Sequence, residues 1–94
     1  MTPYQWGKGV KTRPREFPPS VLEIVTEKQG GKFCVYCHRF GLTTPEEIPL
    51  VIDHMQPLAK GGDNHWSNLQ WCCVSHNCAK ADGRPIRYKP KWAR

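Results

Sequence analysis

Two short motifs constrain this chain more than anything else in it: Cys34-Val-Tyr-Cys37 and Cys73-Val-Ser-His76, each with two soft ligands three residues apart. At that spacing a tight turn presents both side chains to the same side, and two such turns can close one tetrahedral zinc site. The 35 residues between the pairs exceed the gap of an ordinary zinc ribbon, and a hairpin inserted between the two turns needs about that length. The chain needs such a staple. With 94 residues, only 38% of them hydrophobic, and nine prolines, packing alone leaves stability thin. Five cysteines cannot close completely into internal disulfides. A structural zinc would supply on the order of 10–16 kcal/mol of apparent binding energy, which becomes folding energy. Two alternatives stay open on spacing alone. The cysteines could be buried as small apolar residues, and Cys78 could replace His76 through a Cys73-x-x-x-x-Cys78 pair, although the spacing favours His76.

No apolar run approaches the roughly 20 residues that span a bilayer, and the first twenty residues hold no apolar core of a signal peptide. The chain therefore reads as soluble and cytoplasmic, where thiols stay reduced and serve as ligands more often than as bridges. The net charge of +6 is unevenly placed: residues 1–20 carry +3, residues 81–94 carry +4, and the stretch between them sums to −1. Basic arms that include Tyr4, Trp6, Tyr88 and Trp92 suit a polyanion such as nucleic acid. Solvated tails are the plainer reading of the same charges.

Residues 1–19, with Gly7, Gly9, Pro14, Pro18 and Pro19, have neither helical nor strand periodicity and read as an extended basic arm that gains order only against a partner or the body. Ser20-Val-Leu-Glu23 fits a capping box, and Val21, Leu22, Ile24, Val25 and the stem of Lys28 space out one buried stripe. A helix is expected over 21–29, stopped by Gly30 and Gly31. Cys34–Cys37 is expected on a tight turn, and Thr44-Pro-Glu-Glu47 has the signature of a helical turn. Leu50-Val-Ile52 is short, apolar and β-branched, so it reads as a buried strand with Asp53 and His54 at its end. Gly61 to Asn64 form a loop, Leu69-Gln-Trp71 a returning strand, and about Ser75 to Asp82 a short helix closed by Gly83.

An ionisable pair is not required at the end of a hairpin strand, so Asp53-His54 is a second signal, although a hydrogen-bonded buried histidine is its plain structural reading. The joint pattern is more telling: Asp53-His54-x-x-Pro57-Leu58-x-x-Gly61-Gly62, then Asn68-Leu69-Gln70, then Cys73-x-x-His76-Asn77-x-x-Lys80. Over residues 34–83 the sequence resembles the HNH endonucleases, the nuclease family built on a ββα-metal (His-Me finger) motif, in the subtype that also binds zinc. The resemblance implies a small α+β, zinc-stabilised ββα-metal domain, here with an extra N-terminal helix and basic arms. The implied division is an arm at 1–19, a nuclease domain at 20–83 and a basic tail at 84–94.

By the same resemblance His54 is the general base that deprotonates the attacking water. Asp53 and Asn77 ligate the catalytic cation, and Asn68 braces the loop that orients the histidine. Cys34, Cys37, Cys73 and His76 match the zinc positions. The family often has His where Asn77 stands and more commonly Cys where His76 stands. The residue chemistry agrees with these roles. One hard cation held by a carboxylate and an amide oxygen can stabilise charge on a phosphorane-like transition state and on a departing 3′ oxygen. Mg²⁺ suits a site with so few protein ligands, and Mn²⁺ can replace it. A histidine with an unperturbed pKa of about 6.5 can accept a proton at neutral pH, provided that a backbone carbonyl fixes its other nitrogen.

Lys60, Lys80, Arg84, Arg87, Lys89 and Lys91 are the expected phosphate contacts, which position DNA without reading its sequence. Lys80 shares a helical face with Asn77 and reads equally as a solvated lysine. His38 and His65 read as surface residues, and Trp66 as packed under the loop. The activity implied is cutting or nicking of DNA by a single-cation mechanism, leaving 5′ phosphate and 3′ hydroxyl ends. A zinc-stabilised nucleic-acid-binding module without catalysis is the contrasting reading. Small HNH domains of this kind resemble those of bacteriophages, which often work with packaging (terminase) proteins. A monomer is expected.

Overall fold

The computed structural model describes residues 2–81 and 83. Arg84, Arg87, Lys89 and Lys91 lie outside the described residues, as does Asp82, the expected last residue of the third helix. The protein is a small α+β chain in which helix α1 (Pro19–Gln29) and helix α2 (Val35–Arg39) precede strand β1 (Leu50–His54), strand β2 (Leu69–Cys73) and helix α3 (Val74–Ala81). The strands pair as a two-stranded antiparallel sheet, and α3 follows β2 directly, which gives the ββα order. Two compact units are distinguished: residues 2–32 with 53–70, and residues 33–52 with 71–83.

In the first unit, α1 starts earlier than the capping box implied. Pro18 is the N-cap, no side chain caps the helix, and Pro19 stands at the first helical position, so Ser20 is already inside. Proline wins because its fixed φ matches the first turn and its missing N–H is not needed there. The helix ends as expected on Gly30, at φ 88°, with Gly30 N–H donating to Glu27 O and Gly31 N–H to Thr26 O. That is a Schellman stop, which favours a residue without Cβ. Val21, Ile24 and Val25 form the buried stripe, and α1 packs on a 3-10 turn, Trp66–Asn68. Lys28 extends the stripe as expected: its ammonium donates to the carbonyls of Trp66 (3.1 Å) and Leu69 (2.7 Å). Burial lowers its pKa.

The N-terminal arm is ordered against the body of this unit. Residues 3–9 are a run of turns, and the segment then follows the loop between the strands. Asn64 N–H donates to Val10 O (3.0 Å), Gly9 N–H to an Asp63 carboxylate oxygen (2.8 Å), and the Lys11 ammonium to Gly61 O (2.6 Å). His65 Nε2 and Trp66 Nε1 both reach Tyr4 O, at 2.7 and 3.1 Å. Gly7, at φ 77°, lies so close to Asn64 that a Cβ there would come within 2.7–2.9 Å of Asn64 atoms. The loop itself turns on Gly62, where a Cβ would collide with Gln56 O.

In the second unit the first cysteine pair sits at the start of α2 rather than on an isolated turn. Cys34 is the N-cap, and its Sγ accepts the N–H of Cys37 at 3.4 Å. A thiol that caps its own helix in this way is fixed in direction before any ligand arrives. Thr44-Pro-Glu-Glu47 makes one turn, closed by Ile48 N–H to Pro45 O, and goes no further because Pro49 follows. The core of the unit gathers Cys34, Tyr36, Cys37, Cys72 and Cys73, with Val35, Leu42, Ile48 and Leu50 packed against it. Four of these nine positions are cysteines, so a core built this way buries little hydrocarbon.

Candidate functional site

The four predicted zinc ligands converge. Cys34, Cys37, Cys73 and His76 are all buried, and their ligand atoms lie within 4.8 Å of one another. A tetrahedral zinc with ordinary Zn–S and Zn–N bonds places sulfurs about 3.8 Å apart and sulfur about 3.5 Å from nitrogen. Cys37 Sγ and Cys73 Sγ are 3.8 Å apart, and His76 Nδ1 is 3.5, 3.6 and 3.3 Å from the sulfurs of Cys34, Cys37 and Cys73. These four separations are those of a tetrahedral zinc site. Cys78 is exposed and outside this group, so the fold selects His76. Cys72 is buried beside the cluster, where its Sγ donates to Cys73 O.

The neighbouring thiols of the cluster are shifted in opposite directions. Cys34 is pulled down to about 3, chiefly by a hydrogen bond from Cys72, helped by the N–H groups of Cys37 and Cys73 against the cost of burial. Cys37 is pushed up to about 12, first by burial and then by its neighbours Cys34 and Cys73. Tyr36 and Phe40 flank the His76 ring at centroid distances of 5.7 and 6.4 Å, closing the pocket.

The first unit holds the histidine–carboxylate pair. β1 runs on through Asp53 and His54 instead of stopping at Ile52, and both residues are buried, 5% and 7% exposed. An Asp53 carboxylate oxygen accepts from Gln70 Nε2 at 2.8 Å across the hairpin. His54 Nε2 lies 2.7 Å from Asn64 Oδ1. The partner of that nitrogen is a side-chain amide oxygen. The Phe17 ring covers the imidazole at 6.0 Å, and Trp6 in turn packs on Phe17 at 5.8 Å.

Asn68 ties the loop ends together. Its Oδ1 accepts from Gln56 N–H (2.8 Å), its Nδ2 donates to Gln56 O (3.0 Å) and Asp63 O (2.9 Å), and its carbonyl accepts from Met55 N–H (2.8 Å). Lys60 is exposed on a 3-10 turn, Leu58–Lys60, in the same unit. Asn77 and Lys80 are half-buried residues of α3 in the second unit, with the four zinc-site residues. His38 is exposed, its ring 4.7 Å from that of Phe33 and tilted 42° to it. His65 is half-buried and bonded to Ser67 and Tyr4, and Trp66 packs edge-on against Tyr4. Sequence reasoning missed Asn64, which is 1% exposed. In the sequence it sits in a Gly-Gly-Asp-Asn loop, where an asparagine reads as a turn former.

The ββα order, a buried Cys3His cluster of the kind that holds structural zinc, and an aspartate and a histidine at the end of the first strand together define a nuclease-type domain. The HNH endonuclease family model matches residues 34–83, 50 of the 94 residues, and the chain belongs to that family. The family is a class of phosphodiester hydrolases. Comparison with curated proteins and with solved structures gave no match. Among the described residues no helix is long and apolar enough to cross a membrane.

Proposed function

We propose that the protein is a metal-dependent endonuclease that hydrolyses phosphodiester bonds in DNA, with His54 as general base. The observation that carries this reading is the His54–Asn64 hydrogen bond. Asn64 Oδ1 can only accept, so the Nε2 of His54 carries a proton and the ring is fixed in direction. A base with a fixed ring is what deprotonation of a water needs. Phe17 over the ring and the Asn68 braces on the loop hold that geometry.

On the family resemblance, Asp53 and, from α3, Asn77 are the ligands of a catalytic Mg²⁺ or Mn²⁺. When bound, that cation supplies charge neutralisation at the phosphate and the departing 3′ oxygen. Gln70 fixes the direction of the Asp53 carboxylate. Cys34, Cys37, Cys73 and His76 hold a separate, structural zinc. Lys60 and Lys80, with Arg84, Arg87, Lys89 and Lys91, neutralise phosphates, so recognition is weakly sequence-specific and steeply salt-dependent. The setting proposed, again on the resemblance, is phage DNA processing beside packaging proteins.

The test is supercoiled plasmid incubated with zinc-loaded protein, with and without Mg²⁺ or Mn²⁺. Nicks that require the added cation and that DNA ligase reseals directly, as 5′ phosphate and 3′ hydroxyl ends do, support the reading. No cleavage of DNA under any divalent cation would refute it.

A further inference from the structure

We propose that Asn64 is a positioning residue for the reaction and that the N-terminal arm, through Asn64, sets the tautomer of His54. The inference rests on His54 being the general base. Its geometry is a relay of three groups with no freedom of direction. The Thr12 carbonyl oxygen can only accept, and it lies 2.6 Å from Asn64 Nδ2, so the amide of Asn64 cannot be reversed. With the NH₂ turned to Thr12, Oδ1 faces His54 Nε2 at 2.7 Å, and the proton of the imidazole is held on Nε2.

Asn64 is itself pinned to the arm. Its backbone N–H donates to Val10 O at 3.0 Å, and it is almost wholly buried. Gly7 packs against it so closely that only a residue without Cβ fits. Next to it, Asp63 accepts the N–H of Gly9, and the Lys11 ammonium bonds Gly61 O. Residues 7–12 thus form a clamp on the loop from 61 to 64, and the clamp ends on the histidine. The basic arm, which its charge assigns to DNA, has a second task within the protein.

The full-length, zinc-loaded protein is compared with Asn64→Ala, Gly7→Ala and His54→Ala on plasmid nicking, and the histidine ring nitrogens are followed by two-bond ¹H–¹⁵N correlation. Wild type is expected to show the Nε2–H tautomer at His54. Asn64→Ala is expected to lose that signature and to lower kcat about 10- to 100-fold, the usual cost of removing an outer hydrogen-bond partner of a functional imidazole, with KM little changed. Gly7→Ala touches neither residue's functional atoms and is expected to act in the same direction by lifting the arm. If Asn64→Ala does not retain zinc and native circular dichroism, Gly7→Ala decides. An unaltered kcat and an unaltered His54 tautomer in the folded variants would overturn the proposal, provided that His54→Ala is inactive. Full activity in His54→Ala would instead remove the general-base reading beneath it.

Discussion

Asn64 presents its carbonyl oxygen to His54 Nε2 at 2.7 Å while its NH₂ group holds the Thr12 carbonyl at 2.6 Å, so one buried side chain joins the N-terminal arm to the histidine that ends β1. The arm is 52 residues from Asn64 in sequence, and Asn64 is ten from His54. A buried amide with both ends satisfied rigidifies its surroundings and leaves a costly unpaired group if either end is lost.

The zinc-like cluster carries the first prediction. Three sulfurs and one imidazole nitrogen already lie within 4.8 Å of one another, and the apolar core around them is small. Metal analysis should find close to one zinc per chain. Cys34→Ser or prolonged chelation should abolish native circular dichroism, since a metal term of about 10–16 kcal/mol is as large as the whole stability of a typical domain.

His76 and Cys78 should behave oppositely. His76→Ala removes the nitrogen that lies 3.3–3.6 Å from three sulfurs and should weaken zinc retention sharply. Cys78→Ser alters an exposed side chain and should leave both zinc content and melting temperature unchanged. Zinc lost from the Cys78 variant and kept by the His76 variant would reverse the ligand assignment.

Asn68 should be costly to truncate. Asn68→Ala removes three side-chain hydrogen bonds, to Gln56 N–H, Gln56 O and Asp63 O. The two bonds to Gln56 are exposed and the one to Asp63 O is part-buried, so water replaces them in part and each contributes about 0.5–1.5 kcal/mol. A loss of about 2 kcal/mol in denaturant unfolding is expected, with faster amide exchange at Gln56.

Acid should loosen the arm before it unfolds the rest. The Gly9 N–H, and secondarily that of His65, hold the Asp63 carboxyl below its ordinary value. A folded-state pKa below the unfolded one means that the stabilisation is complete above the unfolded value of about 3.9 and is lost as pH falls through the lower, folded value. The effect is small because the carboxylate is largely open to water. Gly9 amide exchange, corrected for intrinsic rate, should show protection falling below about pH 4 in the wild type, and Asp63→Asn should lack that step.

Much of this arrangement is legible in the sequence because it rests on local rules. The ligand spacing of Cys34, Cys37, Cys73 and His76, the apolar run ending in Asp53-His54, and the glycine stop of α1 each depend on neighbours in the chain. Spacing already favoured His76 over Cys78 without excluding the latter, and packing decides between them by burying His76 and exposing Cys78. At the start of α1 two local signals competed, and proline at the first position prevailed over the Ser20 capping box. Asn64 was not legible at all. Its partners, Thr12 and His54, are fixed by the way the arm crosses the loop, and no periodicity records that crossing.

The measurement that tests the account most directly is the rate of supercoiled plasmid nicking by wild type and His54→Ala at equal zinc content and saturating Mn²⁺ or Mg²⁺. Loss of the general base should lower the rate by about 10²- to 10⁴-fold while DNA binding and zinc content are retained. Nicking by His54→Ala at the wild-type rate would contradict the account.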